Sequence, residues 1–373
     1  MNAALAHEVD WDFTEAPADP LHNIHPYPTR FIPQIPRELI RIFHPGDDSA
    51  VLDPFCGSGT TLVEAVSAGL PAVGVDLSPL AILISRVKTT PLKEPISPIA
   101  RGVISDAKRH PTPIPAIPRL DHWFRVDVQD TLARLRAQIE QVADQSHRDA
   151  LNLAFSSIIV RVSNQESDTR YAAVTKEMRP DQVYNAFYRA TENIQRAIFA
   201  RYNTLFATRP ICQLIHKDTL STSPTDIDLK VGLVVTSPPY PNAYENWLYH
   251  KYRMYWLGMD PLIVRKGEIG ARPHFFRKIR PHTAEHFQEQ MARCLQLVSG
   301  VLQPGGVACF VVGRSVIRGQ VVDNAELVSQ AAVRHGFRQL ALLGRSIKKT
   351  RKAFNPSIGK IHEESIVVLR LER

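Results

Sequence analysis

Cysteine is scarce in this chain, with four in 373 residues. Cys56, Cys212, Cys294 and Cys309 lie far apart, with no C-x-x-C pair and no histidine at zinc-ligand spacing. That excludes a disulfide framework and a structural zinc site and leaves buried thiols; no metal is expected. No stretch approaches the ~18–20 apolar residues of a membrane span. Met1-Asn2-Ala3-Ala4-Leu5 runs into acidic residues rather than an apolar leader core, so the expected location is the cytoplasm. Charge of one sign is not extreme either: 45 Lys+Arg against 37 Asp+Glu give +8, a weak general attraction for polyanions. With 44% hydrophobic and 22% charged residues the chain is globular, which excludes disorder, collagen and coiled coil.

The positive charge is concentrated in two runs. One is Arg265, Lys266, Arg272, Arg277, Lys278 and Arg280; the other is Arg345, Lys348, Lys349, Arg351 and Lys352. Apolar residues and glycine interrupt both, so neither reads as a solvated helix face.

Residues 1–21 are polar and acidic without periodicity and read as a loosely held arm. Residues 22–118 form the first part of a cofactor-binding domain. Within it, helical spacing over 33–43 leads through Pro45-Gly46 into a short strand, Ala50-Val51-Leu52. A helix through Leu62 to Ala68, a strand at Ala72–Asp76 and a helix at Pro79–Val87 follow. Strand–helix alternation of this kind predicts an α/β fold with a doubly wound, mostly parallel sheet. Seven prolines between 91 and 118 predict an extended linker. Helical patterns over 129–146, 147–162 and 181–206 make 119–206 a helical insertion. The alternation resumes over 207–373, with strands at 211–215, 232–235, 307–312 and 365–371 and helices at 283–302 and 325–335.

Two motifs carry chemistry. Asp53-Pro54-Phe55-Cys56-Gly57-Ser58-Gly59-Thr60 joins a strand to a helix N-terminus, and its glycines let backbone N–H groups approach a ligand. The lysine of a P-loop is absent, which disfavours nucleoside triphosphates. Asp76 ends the second strand where an acid bonds ribose hydroxyls, and Leu77 follows it. An adenosine-containing ligand is as far as this motif reaches. The second motif is Ser237-Pro238-Pro239-Tyr240, directly after the strand 232–235. Consecutive prolines fix a rigid turn that aims carbonyls and the Ser237 hydroxyl outward beside the aromatic plate of Tyr240. Such a pocket suits a planar heterocycle with an exocyclic amino group.

Together the two motifs resemble the S-adenosylmethionine-dependent DNA amino-methyltransferases, which make N4-methylcytosine or N6-methyladenine; the resemblance covers about 22–90 and 208–371. It implies a Rossmann-like methyltransferase fold, S-adenosylmethionine as cofactor, and Ser237, Pro238, Pro239 and Tyr240 as the catalytic set. His25-Pro26-Tyr27-Pro28-Thr29-Arg30-Phe31 resembles the segment covering the cofactor's methionine part, through Tyr27, Arg30 and Phe31. Asp218 resembles the acidic contact near the adenine. Ser-Pro-Pro-Tyr is commoner among the N4-cytosine enzymes, so cytosine is the expected base and adenine N6 the alternative. The absence of a Pro-Cys dipeptide fits a mechanism without a covalent base adduct. The implied partner is double-stranded DNA, with Arg272, Arg277, Lys278 and Arg280 on the backbone and Gln165, Glu166 and Arg170 near base edges. The order of the motifs implies a target-recognition part either between them, in the 119–206 insertion, or after Tyr240, and a cognate restriction endonuclease is the family's usual companion. The competing class is an RNA guanine-N2 methyltransferase, disfavoured by the short stretch ahead of Asp53.

Overall fold

The computed structural model describes residues 2–14, 17–28, 30–168, 170–202, 210–241, 245–347 and 363–372. Helices α1 (Asn2–Glu8) and α2 (Gln34–Phe43) precede β1 (Ala50–Asp53), α3 (Thr60–Ser67), β2 (Ala72–Asp76) and α4 (Pro79–Thr89). Next come α5 (Ser97–Arg109), α6 (Leu120–Trp123), α7 (Val126–Glu140), α8 (Gln145–Val162), the hairpin β3 (Gln165–Ser167) and β4 (Arg170–Ala173), and α9 (Pro180–Tyr202). Strands β5 (Cys212–His216) and β6 (Val231–Thr236) lead into α10 (Asn246–Trp256), α11 (Pro261–Gly267), α12 (Arg272–Phe275) and α13 (Ala284–Val301). The chain closes with β7 (Leu302–Gly313), a small hairpin of β8 (Ser315–Ile317) and β9 (Gln320–Val322), α14 (Asn324–Val333), β10 (Phe337–Ser346) and β11 (Glu363–Leu371).

Seven strands form one sheet in the order β10-β11-β7-β6-β1-β2-β5. The five from β5 to β7 are parallel, and β11 runs antiparallel between β7 and β10. β1 and β6 are buried along their whole length, which is why they read as unbroken apolar runs rather than alternating ones. On one face, Leu39, Leu62 and Ile84 pack in a single core with Leu151, Phe155 and Ile194 of α8 and α9. On the other, Phe287, Met291 and Leu295 of α13 join Val328 of α14. From β1 the chain winds outward through β2 to β5, then returns to place β6 on β1's other side. The carboxyl ends of β1 and β6 therefore flank the point where strand order reverses, the place where open α/β sheets bind ligands.

The doubly wound, mostly parallel sheet is the expected one. Three expectations are corrected. Residues 2–12 are not a loose arm: Trp11 is 4% exposed, its Nε1–H donates to the Ala6 carbonyl at 2.8 Å, and Asp12 accepts the Ser346 N–H at the end of β10. One buried indole and a small alanine outweigh the acidic composition around them. The segment 91–118 is not wholly an extended linker either, because it contains α5, which buries Ala100, Val103 and Ala107. Pro98 falls in the first helical turn, where a missing N–H removes no helical bond. The expected helix over 129–146 ends earlier, since the Asp144 carboxylate accepts the His147 N–H and starts α8 instead. Strand β10, absent from the sequence-based expectations, alternates buried and exposed residues along its second half as the sheet's edge.

Candidate active site

Both motifs lie at the switch point and are bonded to each other. Leaving β1, the Asp53 carboxylate accepts the Phe55 N–H at 3.1 Å and, from the end of β6, the Thr236 hydroxyl at 2.6 Å. Thr61 in the first turn of α3 donates back to the Val235 carbonyl at 3.1 Å. Burial raises the Asp53 pKa to about 6 despite these bonds.

Between these anchors the chain makes a left-handed turn, with φ +49° at Gly57 and +76° at Gly59. A Cβ on Gly59 would stand 2.7 Å from Ser85 Oγ and 3.1 Å from its Cα, whereas one on Gly57 would meet only the Tyr27 ring, at 3.4 Å. Gly59→Ala is therefore expected to destabilise the fold by about 1–3 kcal/mol. Gly57→Ala should cost only about 1–2 kcal/mol of left-handed strain, and urea titration of both variants measures the difference. Buried Lys88 donates to the Ser58 carbonyl at 2.9 Å and the His22 carbonyl at 3.3 Å, tying the turn to the segment in front of it. Asp76 accepts the Gly57 and Ser78 N–H groups at 2.9 and 2.8 Å, and burial raises its pKa. Cys56 is buried with its thiol pKa pushed up by burial, a packing residue rather than a nucleophile.

The segment resembling a cofactor cover does lie over the turn. Tyr27 faces Gly57 and stacks on His250 of α10 with centroids 5.0 Å apart; burial, then the charge of Asp76, raises its phenol pKa. His25 bonds Ser156 at 3.0 Å, and Phe31 packs against the core. Arg30 folds back onto its own segment, donating to the His22 carbonyl and the Asn23 side chain. Thr29 lies outside the described residues. Asp218 caps the short 3-10 helix Thr219–Ser221 by accepting the Leu220 N–H at 2.9 Å, and the Thr219 hydroxyl donates to the Pro54 carbonyl. The loop after β5 thus braces the glycine turn.

After β6, buried Pro238 and half-buried Ser237, Pro239 and Tyr240 form the second loop. The Tyr240 hydroxyl lies 3.4 Å from each of Ser237 Oγ, the Val311 carbonyl and Glu364 Oε1. Glu364, partly buried, pairs with buried Arg345 at 3.3 Å from directly opposite positions on β11 and β10. Burial, then Glu364, raises the phenol's pKa. Arg345 is thus a buried ion-pair partner rather than part of a basic surface run, and Lys348, Lys349, Arg351 and Lys352 lie outside the described residues.

A third segment, absent from the sequence-based expectations, bridges the two loops. A Cβ on Gly267 would stand 2.7 Å from Leu77 Cδ2, and one on Gly270, at φ +74°, 2.0 Å from the Tyr240 carbonyl oxygen. Between them Glu268 accepts the Asn246 N–H at 2.6 Å through Oε1, while its buried Oε2 has no partner among the described residues. Burial foremost, with Glu245 and Asp76 nearby, raises its pKa to about 8. The Gly-x-x-Gly spacing was visible in the sequence, but nothing local placed it beside Leu77 and Tyr240.

Of the residues assigned to nucleic acid, Arg272, Arg277, Lys278 and Arg280 are exposed and have no acidic partner among the described residues. Gln165 is corrected: it is 3% exposed and its amide is spent on the Ser167 carbonyl within the hairpin. Glu166 and Arg170 pair with each other at 3.0 Å.

Residues 6–86 match the family model described as DNA methylase (N6_N4_Mtase), a span that holds the glycine turn and Asp76. The type II methyltransferase M.MvaI of Kocuria varians is 28% identical over 257 residues, 62% of this chain and 55% of that protein. M.MjaII of Methanocaldococcus jannaschii is 40% identical over 91 residues, 22% of this chain and 17% of that one. Among solved structures, TrmN from Thermus thermophilus matches at 11% identity and a TM-score of 0.39, over 94% of this chain and 52% of that one. The chain spans about half the length of M.MvaI and less of M.MjaII. The family match covers the first of the two motifs, and Ser237-Pro238-Pro239-Tyr240 lies outside it; both the match and the motif resemblance support the same class, the amino-methyltransferases.

Proposed function

We propose that this protein transfers a methyl group from S-adenosylmethionine to the exocyclic amino nitrogen of a base in double-stranded DNA, N4 of cytosine, in a restriction–modification setting. The observation that carries this reading is the joining of the two motifs at the switch point through Asp53 and Thr236. The donor set fits the cofactor. Asp53, Asp76 and Glu268 crowd carboxyl groups around a turn whose one lysine, Lys88, is spent on the Ser58 and His22 carbonyls, which suits a sulfonium cation and disfavours a polyphosphate. Asp76 would take the ribose hydroxyls, Phe55 and Tyr27 would flank the ligand, and Asp218 would lie toward the adenine. When bound, the cofactor supplies a methyl group activated by positive sulfur.

The chain's own work is positioning. Tyr240 donates toward Glu364 or the Val311 carbonyl, and Ser237 donates to Tyr240, so the serine's lone pairs stay open to accept an amino N–H from the base. The Pro238 carbonyl accepts the second. Two such acceptors draw the nitrogen out of conjugation and hold its lone pair in line with the methyl group; as the N–C bond forms, the bond from methyl to sulfur would break to leave a neutral thioether, and the proton lost from nitrogen would pass to solvent. A paired base cannot reach this pocket, so it must be flipped out, at a cost of a few kcal/mol. Ser237 at the motif's head supports cytosine.

Methyl-labelled cofactor and unmethylated DNA test the assignment. Ser237→Ala and Tyr240→Ala are each expected to lower transfer about 10²–10³-fold with little change in cofactor affinity. Full transfer by both variants would refute the catalytic role of this loop.

A further inference from the structure

Beyond the catalytic loop, residues 276–281 leave the end of α12 as an exposed loop whose two ends are pinned together. The His282 N–H donates to the His274 carbonyl at 2.9 Å, the two imidazoles meet edge to face at 4.9 Å, and His282 stacks on His286 at 4.8 Å. Phe275, 1% exposed, anchors it from below. Past that anchor Phe276 is 51% exposed, and Ile279, at 82%, is the most exposed large apolar side chain among the described residues. Arg277, Lys278 and Arg280 surround Ile279, exposed and without an acidic partner among the described residues, and Arg272 lies 5.3 Å over the Phe276 ring. Arg280 holds a left-handed φ of +47°, which turns the chain back toward His282. The loop's root is fixed to the catalytic site, because Gly270, two residues before α12, packs against the Tyr240 carbonyl.

An apolar tip ringed by unpaired cations fits a partner with negative charge outside and apolar stacked surface within. A nucleic-acid duplex has that layout, and side chains such as isoleucine enter it between base steps. We infer that this loop enters the DNA duplex beside the target base. Ile279 fills the gap left when the base is extruded, and Arg277, Lys278 and Arg280 hold the flanking phosphates. The inference rests on the DNA reading above and adds to it the element that keeps the base out.

Two measurements on the full chain test it. The first is salt-dependent binding of a fluorescent mixed-sequence duplex. Replacing Arg277, Lys278 and Arg280 together by glutamine should flatten the slope of log K against log salt by about 2.7, at roughly 0.9 for each phosphate no longer neutralised. Ile279→Ala should leave that slope unchanged. The second is transfer of labelled methyl into duplex DNA, where Ile279→Ala should lose at least tenfold, Ile279→Met should recover most of it, and cofactor affinity should stay at the wild-type value in both. An unchanged slope in the triple variant would overturn the inference, as would Ile279→Ala transferring within twofold of wild type. So would loss of cofactor binding in that variant, which would make the loop merely structural, or a halved mass in sedimentation, which would make its tip an interface between copies. Absence of transfer by the wild-type protein would instead strike the DNA reading itself.

Discussion

Asp53→Ala is expected to lower methyl transfer about 10²–10³-fold, with cofactor affinity down at least tenfold, although Asp53 is buried and directed at protein groups. Its carboxylate is the bond between the glycine turn and the catalytic strand. Removal strands the Phe55 N–H and the Thr236 hydroxyl, at about 1–3 kcal/mol each, and frees the two loops to drift against each other. A shift of about 1 Å between methyl donor and acceptor suffices for a hundredfold loss. Asp53→Asn keeps an acceptor oxygen for both donors and should stay within about tenfold of wild type, which separates loss of geometry from loss of charge. Initial rates with labelled cofactor, alongside thermal melts of each variant, decide it. An alanine variant within threefold of wild type would remove Asp53 from the account.

Cofactor affinity should rise with pH up to about 8, with Asp53 carrying the rise below about pH 6 and Glu268 the rise from there to about 8. Asp53 and Glu268 have pKa values raised to about 6 and about 8 by burial. A raised carboxyl favours the folded state fully only below its unfolded pKa, so the unliganded protein loses stability as pH climbs from about 4 through 6 and 8. A cationic ligand reverses the sign locally, since it prefers the ionised carboxylates and releases their protons on binding. Affinity then gains up to about tenfold per pH unit for each proton released. Glu268→Gln keeps the acceptor for the Asn246 N–H but cannot ionise. Its affinity should level off above about pH 6–7, and its unliganded melting temperature at pH 8 should rise by about 1–2 °C for a gain near 1 kcal/mol. Calorimetric titration across this range measures both effects. A flat wild-type affinity from pH 6 to 8 would show that Glu268 does not face the cation.

Much of this was legible in the chain. The apolar runs at β1, β2, β5 and β6, each followed by a turn and most by an amphipathic helix, defined the sheet's parallel part. The two motifs identified themselves by glycine, proline and a strand-end aspartate. What stayed hidden was held by long-range partners. Arg345 looked like one member of a basic run until antiparallel pairing set it opposite Glu364, whose other neighbour is Tyr240, over 100 residues away. Glu268 carries no local signal, because its surroundings come from Asn246, Asp76 and the burial around them. Gln165 looked available because a polar residue in an irregular stretch usually is, but the β3–β4 hairpin folds its amide inward. Proline density misled over α5 because a proline in a first helical turn does no harm there.

The most direct test is mass spectrometry of the nucleosides released from unmethylated duplex DNA after incubation with this protein and methyl-labelled S-adenosylmethionine. The account predicts labelled N4-methylcytosine, lost with Ser237→Ala. Labelled N6-methyladenine would preserve the site and overturn the reading of Ser237 as a cytosine signature. Label confined to RNA, or absent from nucleic acid altogether, would contradict the central claim that the joined motifs form a DNA amino-methylation site.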